Sequence, residues 1–267
     1  MDFFQKRKLG QTDLMVGPLG VAASFGAETE AFEEAFEKGC NYFYWGSMRK
    51  SGMANAIMNI CGKGKRDELA VVIQTYSRSA ALMELFFKRA LRTLKIDYSD
   101  VLLLGWYNKP PSNRILERAL RMKEQGLCRY LGLSGHNRSL FPELAKTGVF
   151  DLFHVRYNAA HRGAEKDIFP HLGSEGRPGI VSYTATRWGQ LLNKKRIPDE
   201  EEVPSASSCY RFALSNPNVD VCMCGPKNEN QMQEALKTLD LGPLDEDELE
   251  RMRRIGDYVH AHTGKFF

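Results

Sequence analysis

The feature that most limits the folds open to this chain is a regular alternation of two kinds of segment. Eight short apolar segments rich in β-branched residues are each followed by a longer segment of helical periodicity. The predicted strands are residues 16–22, 41–44, 69–75, 100–104, 130–134, 152–156, 179–183 and 219–223. The predicted helices are residues 28–38, 52–60, 80–94, 112–124, 139–146, 164–172, 205–215 and 229–239. Parallel strands joined by helices predict an α/β fold, and eight unbroken repeats favour a closed (β/α)8 TIM barrel over an open sheet.

Three segments lie outside these repeats. Residues 5–16 are predicted to form a short N-terminal β-hairpin, and residues 245–262 a C-terminal amphipathic helix. Residues 187–204 form a long polar loop in which a basic run is followed by an acidic run. This loop is either a solvated connection or a flap over an anionic cofactor.

The helix predicted at 80–94 has an apolar stripe that indicates which side faces the core. Residues three or four apart share one face of a helix. The residues predicted to form the buried stripe are Leu82, Leu85, Phe86, Ala90 and Leu94.

The length and composition fit a single barrel-sized domain spanning residues 1–267. Hydrophobic residues make up 43% of the chain, which is enough for a large core. The net charge of +4 is too weak to indicate nucleic acid binding, and no apolar run is long enough to span a membrane. We therefore expect a small-molecule substrate as the partner, while the oligomeric state is left open.

The cysteines predict a reducing environment. None of the 6 cysteines forms a CxxC pair, and most lie in apolar segments, so buried thiols in a cytoplasmic protein are expected. The first residues also lack the order of a signal peptide. Cys222 and Cys224 could instead be redox-active, although alternate residues of a strand point to opposite faces. No metal-ligand spacing is present, so no metal is predicted.

Seven segments, in order, resemble those of aldo-keto reductases along nearly the whole chain. They are residues 7–14 (RKLGQTDL), 39–43 (GCNYF), 97–104 (DYSDVLLL), 123–134 (KEQGLCRYLGLS), 156–158 (RYN), 182–183 (SY) and 224–227 (CGPK). Proteins of this family are (β/α)8 barrels that reduce carbonyl groups with hydride from NADPH. The resemblance therefore implies an NADP(H) site at the carboxyl ends of the strands.

The resemblance also implies which residues hold the cofactor. Tyr183 matches the aromatic residue on which the nicotinamide ring stacks. Ser134 matches a residue that binds the carboxamide, whereas His154 replaces the usual glutamine. The residues that match the phosphate and adenosine positions are Gly225, Lys227, Gln231 and Glu234.

By contrast, the four catalytic positions of the family all carry other residues. Tyr44 replaces the family's aspartate, and Arg49 replaces its tyrosine. Tyr76 replaces the lysine, and Gly105 replaces the histidine. Tyr44 and Tyr76 can each give or accept a proton. Arg49 could lower the pKa of a neighbouring tyrosine or bind a substrate carboxylate. His136, just after the fifth strand, is a fourth candidate catalytic residue.

Three interpretations of these replacements remain open. The first is an NADP(H)-dependent oxidoreductase with a changed acid-base set. Its substrate would be a small carbonyl or enone compound, and the basic residues would suit a substrate that carries a negative charge. His161, Arg162 and Arg187 add to these basic residues. The second is a catalytically degenerate protein with a binding or regulatory role. The third is a dehydratase or isomerase that moves protons without hydride transfer.

Overall fold

The strands of the structure form a closed barrel preceded by a hairpin. The computed structural model describes residues 5–46, 52–173 and 176–262. Strands β1 (Arg7–Lys8) and β2 (Met15–Val16) pair antiparallel. The eight parallel barrel strands are β3 (Leu19–Ala22), β4 (Tyr42–Trp45), β5 (Ala70–Thr75), β6 (Ser99–Leu104), β7 (Cys128–Ser134), β8 (Leu152–Arg156), β9 (Gly179–Tyr183) and β10 (Val221–Cys224). Strand β10 pairs with β3 and closes the barrel, so the predicted fold is confirmed.

The first predicted strand, residues 16–22, is in fact two strands with different partners. Val16 belongs to the hairpin, and the barrel strand begins only at Leu19. Between them, a side chain at Gly17 would meet the carbonyl oxygen of Gly39 at 2.1 Å, and Pro18 has no N–H to donate. The Pro18 carbonyl instead accepts a hydrogen bond from the Cys222 backbone N–H at 2.7 Å, where the barrel closes.

The helices follow the strands in the order expected of the repeats. The α-helices in the described residues are α1 (Thr29–Glu37), α2 (Gly52–Gly62), α3 (Ala80–Leu94), α4 (Asn113–Glu124), α5 (Leu140–Ala145), α6 (Ala164–Asp167), α7 (Ala206–Leu214), α8 (Glu229–Leu241) and α9 (Glu246–His262). Helix α9 is the predicted C-terminal helix. No helix in the described part of the chain is both long and apolar enough to cross a membrane.

Helix α6 is much shorter than the predicted helix 164–172. It ends at Asp167, and a 3-10 turn, Phe169–His171, follows. Pro170 explains the difference, because its ring lacks an N–H and collides with the carbonyl of the preceding helical turn.

Helix α3 has the predicted bounds but a different buried face. The side chains that face the core are Met83, Phe87, Ala90, Leu91 and Leu94, whereas Leu82, Leu85 and Phe86 are about half exposed. The predicted stripe was therefore wrong at three of its five positions. Apolar residues surround the first turns of this helix on all sides, so spacing alone did not identify the buried face.

The hairpin closes one end of the barrel and leaves the other end for the site. Leu9, Leu14 and Val16 are buried in the cluster that fills the barrel interior. Gly10 has a positive φ of 54° and lies so close to Gly179 that a Cβ would meet its backbone nitrogen at 2.2 Å. At the opposite end, the carboxyl ends of the strands carry Tyr44 and Tyr183, which are partly buried and pack against this cluster.

Helix α9 holds the loops that follow β8 and β9. Arg187 is buried and donates to the Val259 carbonyl oxygen at 2.7 Å. Arg162 donates to Asp257 at 2.8 Å. In the loop 187–204, Glu201 accepts a hydrogen bond from Arg251 at 2.8 Å, so this loop packs on α9.

Candidate active site

Polar and aromatic side chains meet at the carboxyl ends of the barrel strands. Because alternate residues of a strand point to opposite faces, β4 directs Tyr42 and Tyr44 inward, and β5 directs Gln74 inward after Ala70 and Val72. The same alternation brings His154 of β8 and Tyr183 of β9 to this end. These side chains form the floor of the candidate site.

Tyr44 is held by a neighbour that the sequence-based prediction overlooked. Its hydroxyl donates to Oε1 of Gln74, and its ring lies 5.6 Å from that of His154. Burial, together with the neighbouring phenol of Tyr76, raises the pKa of Tyr44 well above its ordinary value. Tyr44 is therefore protonated at neutral pH, and its proton is directed at the Gln74 carbonyl.

Gln74 occupies the space next to Gly105, the position at which the family has its histidine. A Cβ at Gly105 would lie 2.1 Å from Gln74 Nε2 and 2.8 Å from its Cδ. A side chain at 105 and the present orientation of Gln74 exclude one another. The only signal for Gln74 in the sequence was a polar residue at an inward position of an otherwise apolar strand.

His154 faces the barrel interior and is neutral. It is 4% exposed, and its Nε2 lies 2.8 Å from the hydroxyl of Tyr42, which is fully buried. Burial lowers the pKa of His154 to about 3, because the charged imidazolium would lose its hydration there. The imidazole thus links Tyr42 and Tyr44 and remains uncharged at any physiological pH.

A second group of side chains surrounds His136, after β7. Its Nε2 lies 2.7 Å from Trp106 Nε1, and its Nδ1 lies 2.7 Å from Arg156 Nη2 and 3.2 Å from the Tyr183 hydroxyl. Burial and the charge of Arg156 lower the pKa of His136. Burial raises the pKa of Tyr183 to about 12 despite the opposing effect of Arg156. Both His136 and Tyr183 are therefore neutral near pH 7.

Ser134 and Gly135 fix the position of this second group. Ser134 Oγ accepts a hydrogen bond from the Trp106 backbone N–H at 3.2 Å, and the Tyr183 hydroxyl donates to the Gly135 carbonyl oxygen at 3.2 Å. A Cβ at Gly135 would lie 1.9 Å from the Tyr107 carbonyl oxygen. Only glycine fits this position, because any side chain would collide with that backbone oxygen.

The candidate phosphate and adenosine residues lie apart from this mouth, around the start of α8. The Lys227 backbone N–H donates to Gln231 Oε1 at 3.0 Å. Glu234 accepts from Ser207 Oγ at 2.8 Å and pairs with Lys237 at 3.0 Å. The Lys227 side chain is exposed.

The ring of Phe25 covers Gly225, the fourth of the candidate phosphate and adenosine residues. A Cβ at Gly225 would lie 2.4 Å from the Phe25 ring. Phe25 in turn lies 6.5 Å, between ring centroids, from Trp188, which is 72% exposed. Gly225 therefore leaves room for an aromatic ring between β10 and the loop after β9.

The structure brings together most of the predicted catalytic residues. Tyr44 and His136 line the mouth, and Tyr76 is 51% exposed beside Trp106, with ring centroids 6.2 Å apart. Arg49 lies outside the described residues. No group of three potential metal-binding side chains exists in the part of the chain that the structure describes.

The basic residues after β8 have different surroundings. Arg162 is tied to α9, away from the mouth, by the bond to Asp257 and by a 3.2 Å bond to the Arg253 carbonyl. His161 packs edge-on against His260, with ring centroids 5.4 Å apart. Burial and nearby charges, of which Arg187 contributes most, lower the pKa of His161 to about 4.

Comparison with known proteins agrees with the barrel and with its motifs. Residues 22–202 match the model described as "Aldo/keto reductase family". An aldo-keto reductase from Bacillus halodurans in its holo form is 20% identical, with a TM-score of 0.77 over 94% of this chain and 96% of that one. An aldo-keto reductase from Klebsiella pneumoniae in complex with NADPH is also 20% identical, with a TM-score of 0.76 over 95% of each chain.

A sequence search of curated proteins found no match. At 20% identity, the two solved structures establish a shared fold. The family model, however, spans well over half of the chain, from β3 at the start of the barrel to the loop after β9. The chain therefore belongs to the aldo/keto reductase family.

Proposed function

We propose that this chain is an NADP(H)-dependent oxidoreductase that acts on a small carbonyl or enone compound with a changed set of proton donors. The observation that carries the proposal is the cluster of phenols at the mouth, where Tyr44, Tyr76 and Tyr183 lie around one opening, and burial raises the pKa of both Tyr44 and Tyr183. A phenol with an intact proton is a suitable general acid for a developing alkoxide.

The fit of the residues to the cofactor differs between its two ends. At the nicotinamide end, Tyr183 offers a ring fixed through its hydroxyl, and Ser134 offers a hydroxyl beside it. At the phosphate end, the exposed Lys227 side chain suits a 2′-phosphate. His154, Gly225, Gln231 and Glu234 complete the proposed set. NADPH, when bound, would supply the hydride.

Among the two candidate acids, Tyr76 is the better placed to meet a substrate. Its side chain is half exposed at the mouth, whereas the proton of Tyr44 already bonds to Gln74. In the proposed reaction, Tyr76 donates its proton to the carbonyl oxygen. Tyr44 and Gln74 keep water and other side chains out of the space beside it.

The first experiment is calorimetric titration of the protein with NADPH, and then with NADH. We expect micromolar NADPH binding that Lys227→Ala weakens at least tenfold, a loss of about 1.4 kcal/mol. Lys146→Ala, which removes another exposed lysine outside the site, serves as the matched control and should leave binding unchanged. Absence of NADPH binding would remove hydride transfer from consideration.

The second experiment is NADPH consumption with a panel of small aldehydes, ketones and enones. General acid catalysis typically contributes about 10²–10⁴-fold, so Tyr76→Phe should lower kcat at least 100-fold for a substrate that is turned over. Tyr98→Phe, whose hydroxyl bonds to Asp67 away from the mouth, is the matched control. Equal kcat in the two variants would exclude Tyr76 as the acid.

A second candidate function is ligand binding without catalysis. It is favoured by Gln74, whose amide fills the space of the missing histidine, and by the internal bonds of Gln231 and Glu234. Turnover that disappears in Tyr76→Phe would count against it. Product formed without added nicotinamide would instead support a dehydratase or isomerase.

We further infer a reducing, cytoplasmic setting. The six cysteines are all unpaired, and five of them are buried. Burial raises the pKa of Cys222 to about 12, so its thiol remains protonated and the Cys222–Cys224 pair is a poor redox couple.

A further inference from the structure

The side-chain amide of Gln74 is bonded at its oxygen and has no partner in the described part of the chain at its nitrogen. Its Oε1 accepts the hydroxyl proton of Tyr44, and no acceptor among the described residues bonds to its Nε2. The Gln74 side chain is half-buried, and Nε2 is not one of the fully buried polar atoms that lack a partner. The N–H groups of this nitrogen are therefore open to the mouth of the barrel.

The free nitrogen lies beside Gly105, at the carboxyl end of the neighbouring strand β6. A Cβ at Gly105 would lie 2.1 Å from Gln74 Nε2. The Gly105 backbone N–H donates to the Thr75 carbonyl oxygen at 2.8 Å. Arg78 Nη1 donates to the carbonyl oxygens of Tyr76 and Gly105, at 2.9 and 3.1 Å. The amide nitrogen and the proposed acid, Tyr76, thus lie at one corner of the mouth, which is tied together through the backbone.

The hydrogen bond from Tyr44 makes the amide of Gln74 a better donor. A hydrogen bond to the oxygen of an amide draws electron density from its nitrogen, so that successive hydrogen bonds strengthen one another. Burial raises the pKa of Tyr44 well above its ordinary value, which keeps the Tyr44 proton available for this bond. With Oε1 bound in this way, Nε2 is turned toward Gly105 and the mouth.

We propose, as an extension of the oxidoreductase function proposed above, that Gln74 is a catalytic residue whose Nε2 donates a hydrogen bond to the carbonyl oxygen of the substrate. Tyr76 gives its proton to the same oxygen and regains one from solvent, whereas Gln74 keeps both of its protons. Such a donor stabilises the transition state most, because negative charge develops on the oxygen there. The donor comes from β5 in this chain, whereas the family has its histidine at position 105 of β6.

The first test compares two variants that affect the Gln74 amide differently. Gln74→Met fills the same space without an N–H donor. For a carbonyl compound that the wild type reduces with NADPH, it should lower kcat about 10²–10³-fold, the usual loss when one such donor is removed. Tyr44→Phe removes the bond to Oε1 but leaves the donor, so kcat should fall less than tenfold. Equal kcat in the two variants would overturn the proposal, because Gln74 would then act only by holding Tyr44.

A rescue experiment covers the case in which Gln74→Met does not fold. Gln74→Ala empties the space beside position 105, so that a side chain can be placed there. In this background, Gly105→His supplies a new donor and should raise kcat at least tenfold. Gly105→Leu supplies bulk without a donor and should not. Equal recovery with leucine and histidine would overturn the proposal, since packing alone would explain it.

A measurement without cofactor separates this proposal from the general function. Benzaldehyde is the probe, and styrene, which has nearly the same shape but no oxygen, is the ligand control. In proton–nitrogen correlation spectra, benzaldehyde but not styrene should move a side-chain amide proton of Gln74 downfield. The same response to both ligands would overturn the proposal.

The two proposals can fail separately. The benzaldehyde-dependent shift of the Gln74 amide, without any NADPH binding, would keep the hydrogen-bond donor and refute the oxidoreductase. NADPH-dependent turnover with an unchanged kcat in Gln74→Met would refute the donor and leave the oxidoreductase function standing.

Discussion

The exclusion between Gly105 and Gln74 predicts a strong coupling between these two positions. In Gly105→Ala, the new Cβ would lie within 3.0 Å of Nε2, Cδ and Cγ of Gln74, so the side chain must rotate and its bond to Tyr44 must break. Overpacking costs about 1–3 kcal/mol, and a lost hydrogen bond about 1 kcal/mol. The smaller entropy of an unfolded chain with alanine returns about 0.4–1 kcal/mol. We expect a net destabilisation of about 2 kcal/mol.

The same substitution should be harmless once Gln74 is shortened. In the Gln74→Ala background, Gly105→Ala meets no amide and should be neutral or stabilising by up to about 1 kcal/mol. Urea denaturation of the four proteins gives the coupling energy, expected near 2–3 kcal/mol. Gly62→Ala is the control, because a Cβ there meets nothing within 4 Å. Equal destabilisation in both backgrounds would refute the idea that Gln74 fills this space.

Three other predictions concern stability. Phe87→Ala should lower the free energy of unfolding by about 3–5 kcal/mol, because Phe87 is fully buried. Phe86→Ala should lower it by about 1 kcal/mol, because the Phe86 side chain is 46% exposed. If urea denaturation shows the larger loss for Phe86→Ala, the assignment of the buried face of α3 is wrong. Asp220→Asn should lower the free energy of unfolding by about 3–5 kcal/mol, because the buried Asp220 carboxylate accepts two hydrogen bonds from Arg177. Asp13→Asn, which breaks an exposed ion pair, should lower it by less than about 1 kcal/mol. Similar shifts in melting temperature for the two variants would contradict this prediction. Burial lowers the pKa of His154 from about 6.5 to about 3, so between these pH values only the unfolded state binds the proton, and the free energy of unfolding decreases as the pH falls from 6.5 toward 3. His154→Gln should remove this dependence and flatten the plot of unfolding free energy against pH by up to about 1.4 kcal/mol per pH unit. Parallel plots for the wild type and the variant would refute the argument.

Most of the fold follows from the sequence because each repeat carries its own period. A strand of alternating or continuous apolar residues and a helix of period 3.6 differ over a few residues, and eight such pairs leave few topologies. Errors arose where one residue overrode the pattern, as Pro18 and Pro170 did, or where apolar residues surround a helix, as at Leu82 and Phe86 of α3.

The sequence could predict where the candidate site lies, but not which side chains contact one another there. The sequence indicated that Tyr44, Tyr76 and His136 lie near the mouth, because the ends of parallel strands meet there. It could not show that Gln74 would turn toward Gly105, since that choice depends on the register between neighbouring strands and on the space that a glycine leaves. The interaction of Arg156 with His136 likewise joins two strands and has no local signal.

Helix α9 has a consequence for the order in which the protein becomes functional during synthesis. It carries the Val259 carbonyl and the Asp257 carboxylate that hold Arg187 and Arg162 in the loops after β9 and β8. A ribosome makes α9 after both loops, so the barrel strands can pair while these loops still lack their anchor. The loops after β8 and β9 therefore gain these two anchoring contacts only once α9 has been made.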